Sequence, residues 1–419
     1  MPFRVTAAAV GAALLFGAAA PAAYATDTEP GAPAAVQLTT ARGDAPKLAP
    51  GVYQTTAPTG ETEHYASITR PKGGSVAVAI FGAVHASLTT ADGETTCSSG
   101  TTTLSHDVTG YTFVSADATE TKRQSYLSDD CKSATHLILE LTADDDSSGA
   151  TATAQPKPLQ FVVTTEPKVK NAGAPAPKSA QDEIKAPSRS TPDSNITLSD
   201  KLYAPTTLTA GKSYPVTLKP GTIGVARVRV GWGQRLAASI DAPRNGTNVA
   251  PPASLDLVID AFSPQWAPVG GGSRTSYLYK QDGTEKTAGT YTAPVSAANR
   301  SVDYGDAGDV GANHAQWTTV AGWYYVVVRA AADDDKDAPP PSFRLPARLN
   351  IEVTGTPSSG PTYVDTAGTA VAAPPATQLS QGGSTGSGSS STTLLRIGGT
   401  AVVLVLAAAA VAILLRRRA

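Results

Sequence analysis

Short stretches of the chain alternate between apolar and polar residues, and this pattern predicts β-strands. The alternation is visible at Ser67-Ile68 and at Val76-Ala77-Val78, and residues 225–230 read VARVRV. A period of two places successive side chains on opposite faces, as a half-buried strand requires. Glycine and proline separate the stretches, and no strongly amphipathic helix stands out between them. The pattern therefore predicts a mainly β chain built from antiparallel β-sandwiches.

Composition divides the chain into two strand-rich blocks, residues 46–165 and 197–355, with three low-complexity segments around them. Residues 26–45 are rich in Ala, Pro, Thr and Gly, which predicts a disordered N-terminal segment. Residues 166–196 are rich in Pro, Ala and Lys, which predicts a semi-extended linker. Residues 356–393 end in Gly and Ser, which predicts a flexible stalk.

The two blocks have the features of a tandem repeat. Each opens with a tyrosine seven residues before a glycine, Tyr53 and Gly60 in the first block and Tyr214 and Gly221 in the second. Each closes with a strand, the sequence Ala-Asp-Asp-Asp, a gap and a further strand. The separation from the glycine to the first Asp is 84 residues in the first block and 112 in the second. The second block therefore holds a long insertion, which we place within 241–318.

The two ends of the chain predict export and membrane anchoring. Residues 1–25 have a positive start, a short apolar run and the small-x-small sequence Ala-Tyr-Ala, which is typical of a cleaved signal peptide; a permanent N-terminal anchor is the alternative. Segment 394–415 predicts a transmembrane helix, with a buried core helix as the alternative. Its uncharged part, Ile397–Leu415, would span roughly 28 Å as a helix. Three arginines in the tail 416–419 favour a cytoplasmic C-terminus and place the N-terminus outside.

The net charge and the cysteine content agree with the prediction of an extracellular protein. The formal net charge is -2, from 33 basic and 35 acidic residues, which argues against nucleic acid as a partner. The chain has two cysteines, Cys97 and Cys131, and an oxidising exterior favours a disulfide between them. Closing that loop is worth roughly 3–4 kcal/mol in the chain-entropy model.

Three stretches, GETEHYASITRPKGG, ASLDLVIDAFSP and VAGWYYVVVRA, resemble the bacterial pre-peptidase C-terminal domain family, and also the sandwich regions of actinobacterial von Willebrand A-type surface proteins. The opening motif is present at Gly60–Thr62 and lost at Gly221–Ile223. The closing motif is present at Ala321–Tyr325 and degenerate at Ser133–His136. The resemblance implies a jelly-roll-like fold and an accessory or binding module, and it transfers no catalytic residues.

The repeated aspartates have two interpretations. As turn residues they would cap backbone N–H groups and keep the ends of apolar strands from pairing with other chains. As oxygen ligands they would make Asp144, Asp146, Asp333 and Asp335 weak calcium candidates, with a second acidic segment at 303–309 as a possible partner. The EF-hand pattern is absent from the sequence, and three consecutive aspartates cannot all face one ion.

Enzyme signatures are weak throughout the sequence. A G-x-S-x-G match at 382–386 lies in the Ser/Gly stalk rather than between a strand and a helix, and the five histidines lack zinc-like spacing. We therefore predict neither catalysis nor a cofactor. Four tryptophans occur in the second block, where Trp232, Trp266 and Trp317 are candidates for a sugar-stacking surface; core filling is the alternative, especially for Trp323.

Together these features predict a single-pass cell-membrane protein with two tandem jelly-roll-like β-sandwiches outside and one C-terminal transmembrane helix. We expect a non-enzymatic surface module that binds a protein or a cell-wall polymer. The alternative is an accessory subunit of an envelope or secretion-type membrane complex that associates through its helix.

Overall fold

The computed structural model describes residues 32–100, 110–119, 121, 127–143, 158–176, 187, 193–242, 254–269, 273–278, 286–301, 315–332, 342–364 and 369–373. The mainly β fold class predicted from the sequence is confirmed. Within the described residues no helix is long and apolar enough to cross a bilayer. The predicted signal peptide, 1–25, and the predicted span, 394–415, lie outside those residues.

The first sandwich consists of two five-stranded sheets, one short α-helix and, between its first two strands along the chain, a 3-10 helix at Arg42–Asp44. Its elements are β1 (Ala34–Ala35), β2 (Lys47–Leu48), β3 (Gly51–Thr56), β4 (His64–Thr69), β5 (Ser75–Phe81), β6 (Val84–Thr90), β7 (Thr96–Gly100), β8 (Tyr111–Asp117), α1 (Asp129–Ser133), β9 (His136–Ala143) and β10 (Pro158–Glu166). One sheet has the order β1-β3-β10-β5-β8 and the other β2-β4-β9-β6-β7.

The second sandwich has the same construction. Its strands are β12 (Thr206–Thr207), β13 (Lys212–Leu218), β14 (Ile223–Val230), β15 (Arg235–Ala242), β16 (Ser254–Phe262), β17 (Ser273–Leu278), β18 (Lys286–Tyr291), β19 (Gly322–Ala332) and β20 (Leu345–Thr354). Its sheets have the orders β13-β20-β15-β18 and β12-β14-β19-β16-β17. A 3-10 helix covers Ala297–Ser301 in the connection between β18 and β19.

The two sandwiches share one connectivity. The central strands β3-β10-β5-β8 and β4-β9-β6-β7 correspond, ten elements later, to β13-β20-β15-β18 and β14-β19-β16-β17. Eight strands that alternate in this way between two facing sheets form a jelly roll. The glycines that revealed the repeat, Gly60 and Gly221, occupy the same turn and have φ angles of 61° and 74°. Glycine suits this turn because other residues rarely adopt positive φ.

Each jelly roll is held together by the apolar residues that face inward from its two sheets. Val78, Ile80 and Leu139 are among the buried residues of the first core. Leu257 and Tyr324 are among those of the second. These residues lie at alternate positions in their strands, as the period-two pattern of the sequence predicts.

Three further strands form a small separate sheet. It pairs the chain that follows the second sandwich with the chain that follows the first. The three strands are β11 (Val169–Asn171), β21 (Thr362–Val364) and β22 (Ala370–Ala372), in the order β11-β21-β22. Two of these strands lie within the segment predicted as a stalk, and the third lies within the predicted linker. Strand β1 and the 3-10 helix Arg42–Asp44 likewise lie within 26–45, the segment predicted to be disordered. Parts of all three low-complexity segments therefore form regular structure, because each packs against a sandwich.

Candidate functional site at the junction of the two sandwiches

Strand β5 shows how the two sandwiches meet. Val76, Val78 and Ile80 point into the first core. Ala79 and Phe81 point the opposite way and join a separate apolar cluster with residues of the second sandwich. Every residue of β5 is buried because the strand is covered on both faces. The outer face of sheet β3-β10-β5-β8 therefore packs on the outer face of sheet β14-β19-β16-β17.

Trp266 is the centre of this junction. Its ring stacks on Tyr325 with centroids 3.8 Å apart and planes at 13°. It meets Phe81 of the first sandwich edge-on at 5.0 Å. Tyr111, also of the first sandwich, packs edge-on against Phe262 at 5.1 Å and donates its hydroxyl hydrogen bond to the Trp266 carbonyl. Each aromatic pair adds to the apolar burial of the contact.

A tightly bonded turn presents Trp266 to the first sandwich. The Ser263 hydroxyl oxygen accepts hydrogen bonds from the backbone N–H groups of Gln265 and Ala267, and Trp266 N donates to Ser263 O at 2.8 Å. Trp266 has a φ of 61°, and among the described residues it is the one non-glycine with positive φ. A bulky residue in this region carries backbone strain, which persists only where the surroundings impose it. Here the junction imposes it.

A buried ion pair also joins the two sandwiches, at the end of β5 opposite to Phe81. Glu166, the last residue of β10, accepts a hydrogen bond from Arg300 of the second sandwich, with Nη2 and Oε1 2.7 Å apart. The other carboxylate oxygen of Glu166 accepts from the Ser75 hydroxyl at 3.4 Å. The register places Ser75 between Glu166 and Asp117 on three neighbouring strands. Arg300 therefore faces a row with two carboxylates.

Two effects act in opposite directions on the pKa of Arg300. Burial by itself lowers the pKa of the Arg300 guanidinium, but the negative charges of Glu166 and Asp117 outweigh it and raise that pKa above its ordinary value. Arg300 is therefore a permanent cation, and its burial is compensated only while its carboxylate partner remains in place.

The segment after β20 also reaches the junction. The Tyr363 hydroxyl donates to Glu166 Oε1 at 3.2 Å. Val364 N donates to the Lys168 carbonyl at 2.8 Å, and β21 pairs with β11 in antiparallel fashion. In the predicted linker, Ala176 N donates to Asn299 Oδ1 of the second sandwich at 2.9 Å. The first part of the predicted linker is thus packed against the second sandwich.

The tryptophans do not form an exposed platform. Trp232 is 4% exposed in the second core and Trp266 is 2% exposed in the junction, so neither offers a ring face to a ligand. Trp317 is half-buried and packs edge-on against Phe113 of the first sandwich at 5.0 Å. Trp323 lies beneath the guanidinium groups of Arg227 and Arg229. For Trp232 and Trp266 the sugar-stacking interpretation is therefore corrected: these two rings fill the second core and the junction, because burying their area stabilises both.

The predicted disulfide is confirmed. Cys97 and Cys131 are joined by a disulfide, with their Cα atoms 5.4 Å apart and a sequence separation of 34. The bridge connects edge strand β7 to helix α1, whose first turn is capped by the Ser128 hydroxyl. Arg70 donates to the carbonyls of Cys131, Lys132 and Ala134 near the end of this helix. These contacts hold α1 against the sandwich.

The aspartate repeats follow equivalent strands. Asp144 and Asp146 come after β9, and Asp333 and Asp335 come after β19, which occupies the same position in the second sandwich. All four residues lie outside the described residues. In the described parts of the chain, no group of three or more His, Cys, Asp or Glu side chains could hold a metal ion.

Comparisons with known proteins do not identify a family. No family model matches the chain, and no curated protein gives a significant sequence match. The CUB1-EGF-CUB2 region of human MASP-1/3 has a TM-score of 0.17 at 7% identity, covering 72% of this chain and 99% of that one. The Arthrobacter globiformis T6 isomalto-dextranase complexed with panose has a TM-score of 0.18 at 9% identity, covering 72% of this chain and 34% of that one. Scores this low do not indicate a shared fold, and no function is inferred from these structures. The resemblance to pre-peptidase C-terminal domains stays an interpretation of the motifs.

Proposed function

We propose that this chain is a membrane-anchored cell-surface protein that binds a protein or a cell-wall polymer without catalysis, and that its two jelly rolls act as one rigid unit. The observation that carries the proposal is the junction centred on Trp266. An interface that buries stacked aromatic rings and an ion pair holds the two modules at one angle. Rigid modules present their loops and free sheet faces in a fixed geometry, which lowers the entropic cost of binding a partner.

The membrane part of the proposal is supported by the two ends of the sequence. The signal-like start and the uncharged segment 397–415 would export the sandwiches and tether them. We expect a mature N-terminus after Ala25 and a single span with the C-terminus inside. N-terminal sequencing and protease treatment of intact cells test this. A mature chain that retains Met1, or sandwiches protected from protease, would refute it.

A second function is favoured by the packing of the segment after β20. Tyr363 and Val364 contact the junction, and in the sequence they lie between the sandwiches and the predicted span. A partner that binds the span would therefore be linked to the sandwiches through this part of the chain. This arrangement supports the alternative of an accessory subunit in an envelope or secretion-type membrane complex.

One experiment separates the two functions. Partners are captured by cross-linking on intact envelopes, once from the natural chain and once from a variant in which 397–415 is replaced by an unrelated span. A soluble chain ending at residue 373 is tested in parallel for binding to isolated wall. Binding by the soluble chain supports the surface module. A partner that is lost on the span replacement, with no binding by the soluble chain, supports the complex subunit.

A further inference from the structure

The described residues 355–364 and 369–373, which we call the strap, contact the junction at its ion pair and at the chain that leaves the first sandwich. The strap begins directly after β20, passes Trp232, contributes β21 and β22, and ends with Ala373 in the core of the second sandwich. Near its start Ser358 N donates to Trp232 O of the second sandwich at 2.9 Å, and at its end Ala373 N donates to Pro361 O within the strap at 3.0 Å. The strap is therefore a folded element of the second sandwich that reaches towards the first.

One carboxylate joins three parts of the molecule: the first sandwich, the second sandwich and the strap. Glu166 belongs to the first sandwich, and it contacts Ser75 of the same sandwich, Arg300 of the second, and Tyr363 of the strap. All three groups donate to its two oxygens. A hydrogen bond to a charged, buried acceptor is among the stronger polar contacts in proteins. Removal of the strap would leave the Glu166–Arg300 pair without one of its donors and without part of its cover.

The strap also holds the chain that leaves the first sandwich. Strand β21 pairs with β11, with Val169 opposite Tyr363 and Asn171 opposite Thr362. Tyr363 itself is 3% exposed and packs in the core of the second sandwich. Separation of the two sandwiches has to break the contacts of Glu166 with Arg300 and Tyr363 as well as the aromatic contacts around Trp266. The strap therefore lies across the boundary between the two sandwiches.

We propose that the strap is a latch that keeps the two sandwiches closed, and that its release uncovers the apolar faces of the junction. Release would expose Ala79, Phe81 and Tyr111 on one side and Phe262, Trp266 and Tyr325 on the other. Because the strap precedes the predicted span, a pull on a membrane anchor would load the latch before the sandwich cores; this last step rests on the proposed membrane anchoring, whereas the latch itself does not.

A buried alanine on each face of one sheet gives a direct test in the full-length chain. Ala79 lies in the junction, Ala116 lies in the first core on the neighbouring strand β8, and both are fully buried. The natural cysteines are joined in a disulfide, so Ala79→Cys and Ala116→Cys each supply one reactive thiol. The labelling rate of the first reports opening of the junction, and that of the second reports unfolding of the sandwich.

Two changes loosen the latch. Tyr363→Phe removes the hydroxyl that donates to Glu166, and Val364→Pro removes the N–H that donates to Lys168. We expect each to speed labelling of Ala79→Cys by roughly tenfold to a hundredfold, the range that a lost hydrogen bond to a charged group or a broken strand pairing implies. Ala116→Cys should label at its original rate. Tyr53→Phe is the matched control, because the Tyr53 hydroxyl donates to Ala49 O away from the junction.

An engineered disulfide between β11 and β21 completes the test. Asn171→Cys with Thr362→Cys places two thiols at opposed positions of β11 and β21, and their oxidation should return the labelling of Ala79→Cys in the Tyr363→Phe chain to its original rate. Unchanged labelling at Ala79→Cys in both loosened chains, or labelling that rises equally at Ala116→Cys, would overturn the latch. No partner is used, so a failure to find one affects only the proposed function.

Discussion

Among single side chains, Trp266 has the largest consequence for the architecture. Its positive φ, its stack on Tyr325 and its edge contact with Phe81 all serve the contact between the sandwiches. The strained backbone at Trp266 positions its buried ring between the sandwiches, and this ring holds one sandwich against the other.

Trp266→Ala should lower the free energy of unfolding by about 3–5 kcal/mol, the usual cost of truncating a large buried ring. Trp317→Ala is the matched control and should cost less, because that ring is only half-buried. Urea denaturation of the soluble two-sandwich chain measures both. Equal and small losses would mean that the junction contributes little to stability.

Tyr325 makes the junction sensitive to high pH. Burial raises its pKa to about 12, above the value near 10 of an exposed tyrosine. Because the folded pKa is the higher one, the stabilisation is fully present below about pH 10 and is lost as the pH rises through about 12. We expect Tyr325→Phe to reduce the loss of unfolding free energy across this window by about 2–3 kcal/mol.

Denaturation curves collected from pH 9 to about 12 test this expectation. Burial also raises the pKa values of Tyr111 and Tyr324, so part of the pH dependence should survive in the variant. Tyr203→Phe, at a half-exposed position, is the control variant. A Tyr325→Phe chain that loses stability as steeply as the natural chain would contradict the assignment.

Among the strands and helices, helix α1 depends most on contacts outside itself. It has five residues, too few to be stable alone. The Cys97–Cys131 bridge and the three carbonyls that accept from Arg70 attach it to the first sandwich. The second sandwich has no cysteine and achieves the same connectivity without a bridge.

Replacing both Cys97 and Cys131 by alanine should lower the free energy of unfolding of the first sandwich by roughly 3–4 kcal/mol. The bridge acts mainly by restricting the unfolded chain, so the native contacts of α1 should persist. Thiol counting on the unfolded, unreduced chain should find none, and counting after reduction should find two. Two thiols before reduction would show that the bridge does not form in the cell.

The calcium interpretation of the aspartate repeats can be tested with a chelator. We expect a chelator to change the melting temperature of the two-sandwich chain only slightly, because turn formation by aspartate needs no ion. Bound calcium would instead stabilise the fold by about 2.7 kcal/mol at a hundredfold excess over Kd. A large calcium-dependent rise that Asp144→Ala or Asp333→Ala abolishes would establish calcium binding by these aspartates.

For the chain as a whole, the junction means that neither sandwich presents its complete surface to solvent. Phe262, Trp266 and Tyr325 of the second sandwich are covered by the first. A fragment cut at the predicted domain boundaries would expose this apolar face and would also lose the strap. Exposed aromatic patches of this kind promote association.

We therefore expect the isolated fragment 197–355 to bind an apolar fluorescent dye and to self-associate, whereas a chain of residues 26–373 stays monomeric and binds little dye. Light scattering and dye fluorescence at equal concentration measure the difference. A monomeric fragment without dye binding would mean that the sandwiches are independent and that the junction is weak.

The strands, the turn glycines and the repeat could be predicted from the sequence because each depends on local chemistry. A period of two marks a strand with one covered face, and a positive φ selects glycine at Gly60 and Gly221. The disulfide could also be predicted, since two cysteines in an oxidising compartment have one possible pairing.

One signal of the junction was present in the sequence. The run SVAVAIF in β5 has an apolar or small residue at every position, as a strand covered on both faces requires. Its partner remained hidden, because the pattern shows that a second face is covered without showing what covers it. Glu166 and Arg300 are 134 positions apart, and no local pattern relates them. The choice of Trp266 as a junction residue and of Glu166 as the shared acceptor arises only when the packed sheets bring distant residues together.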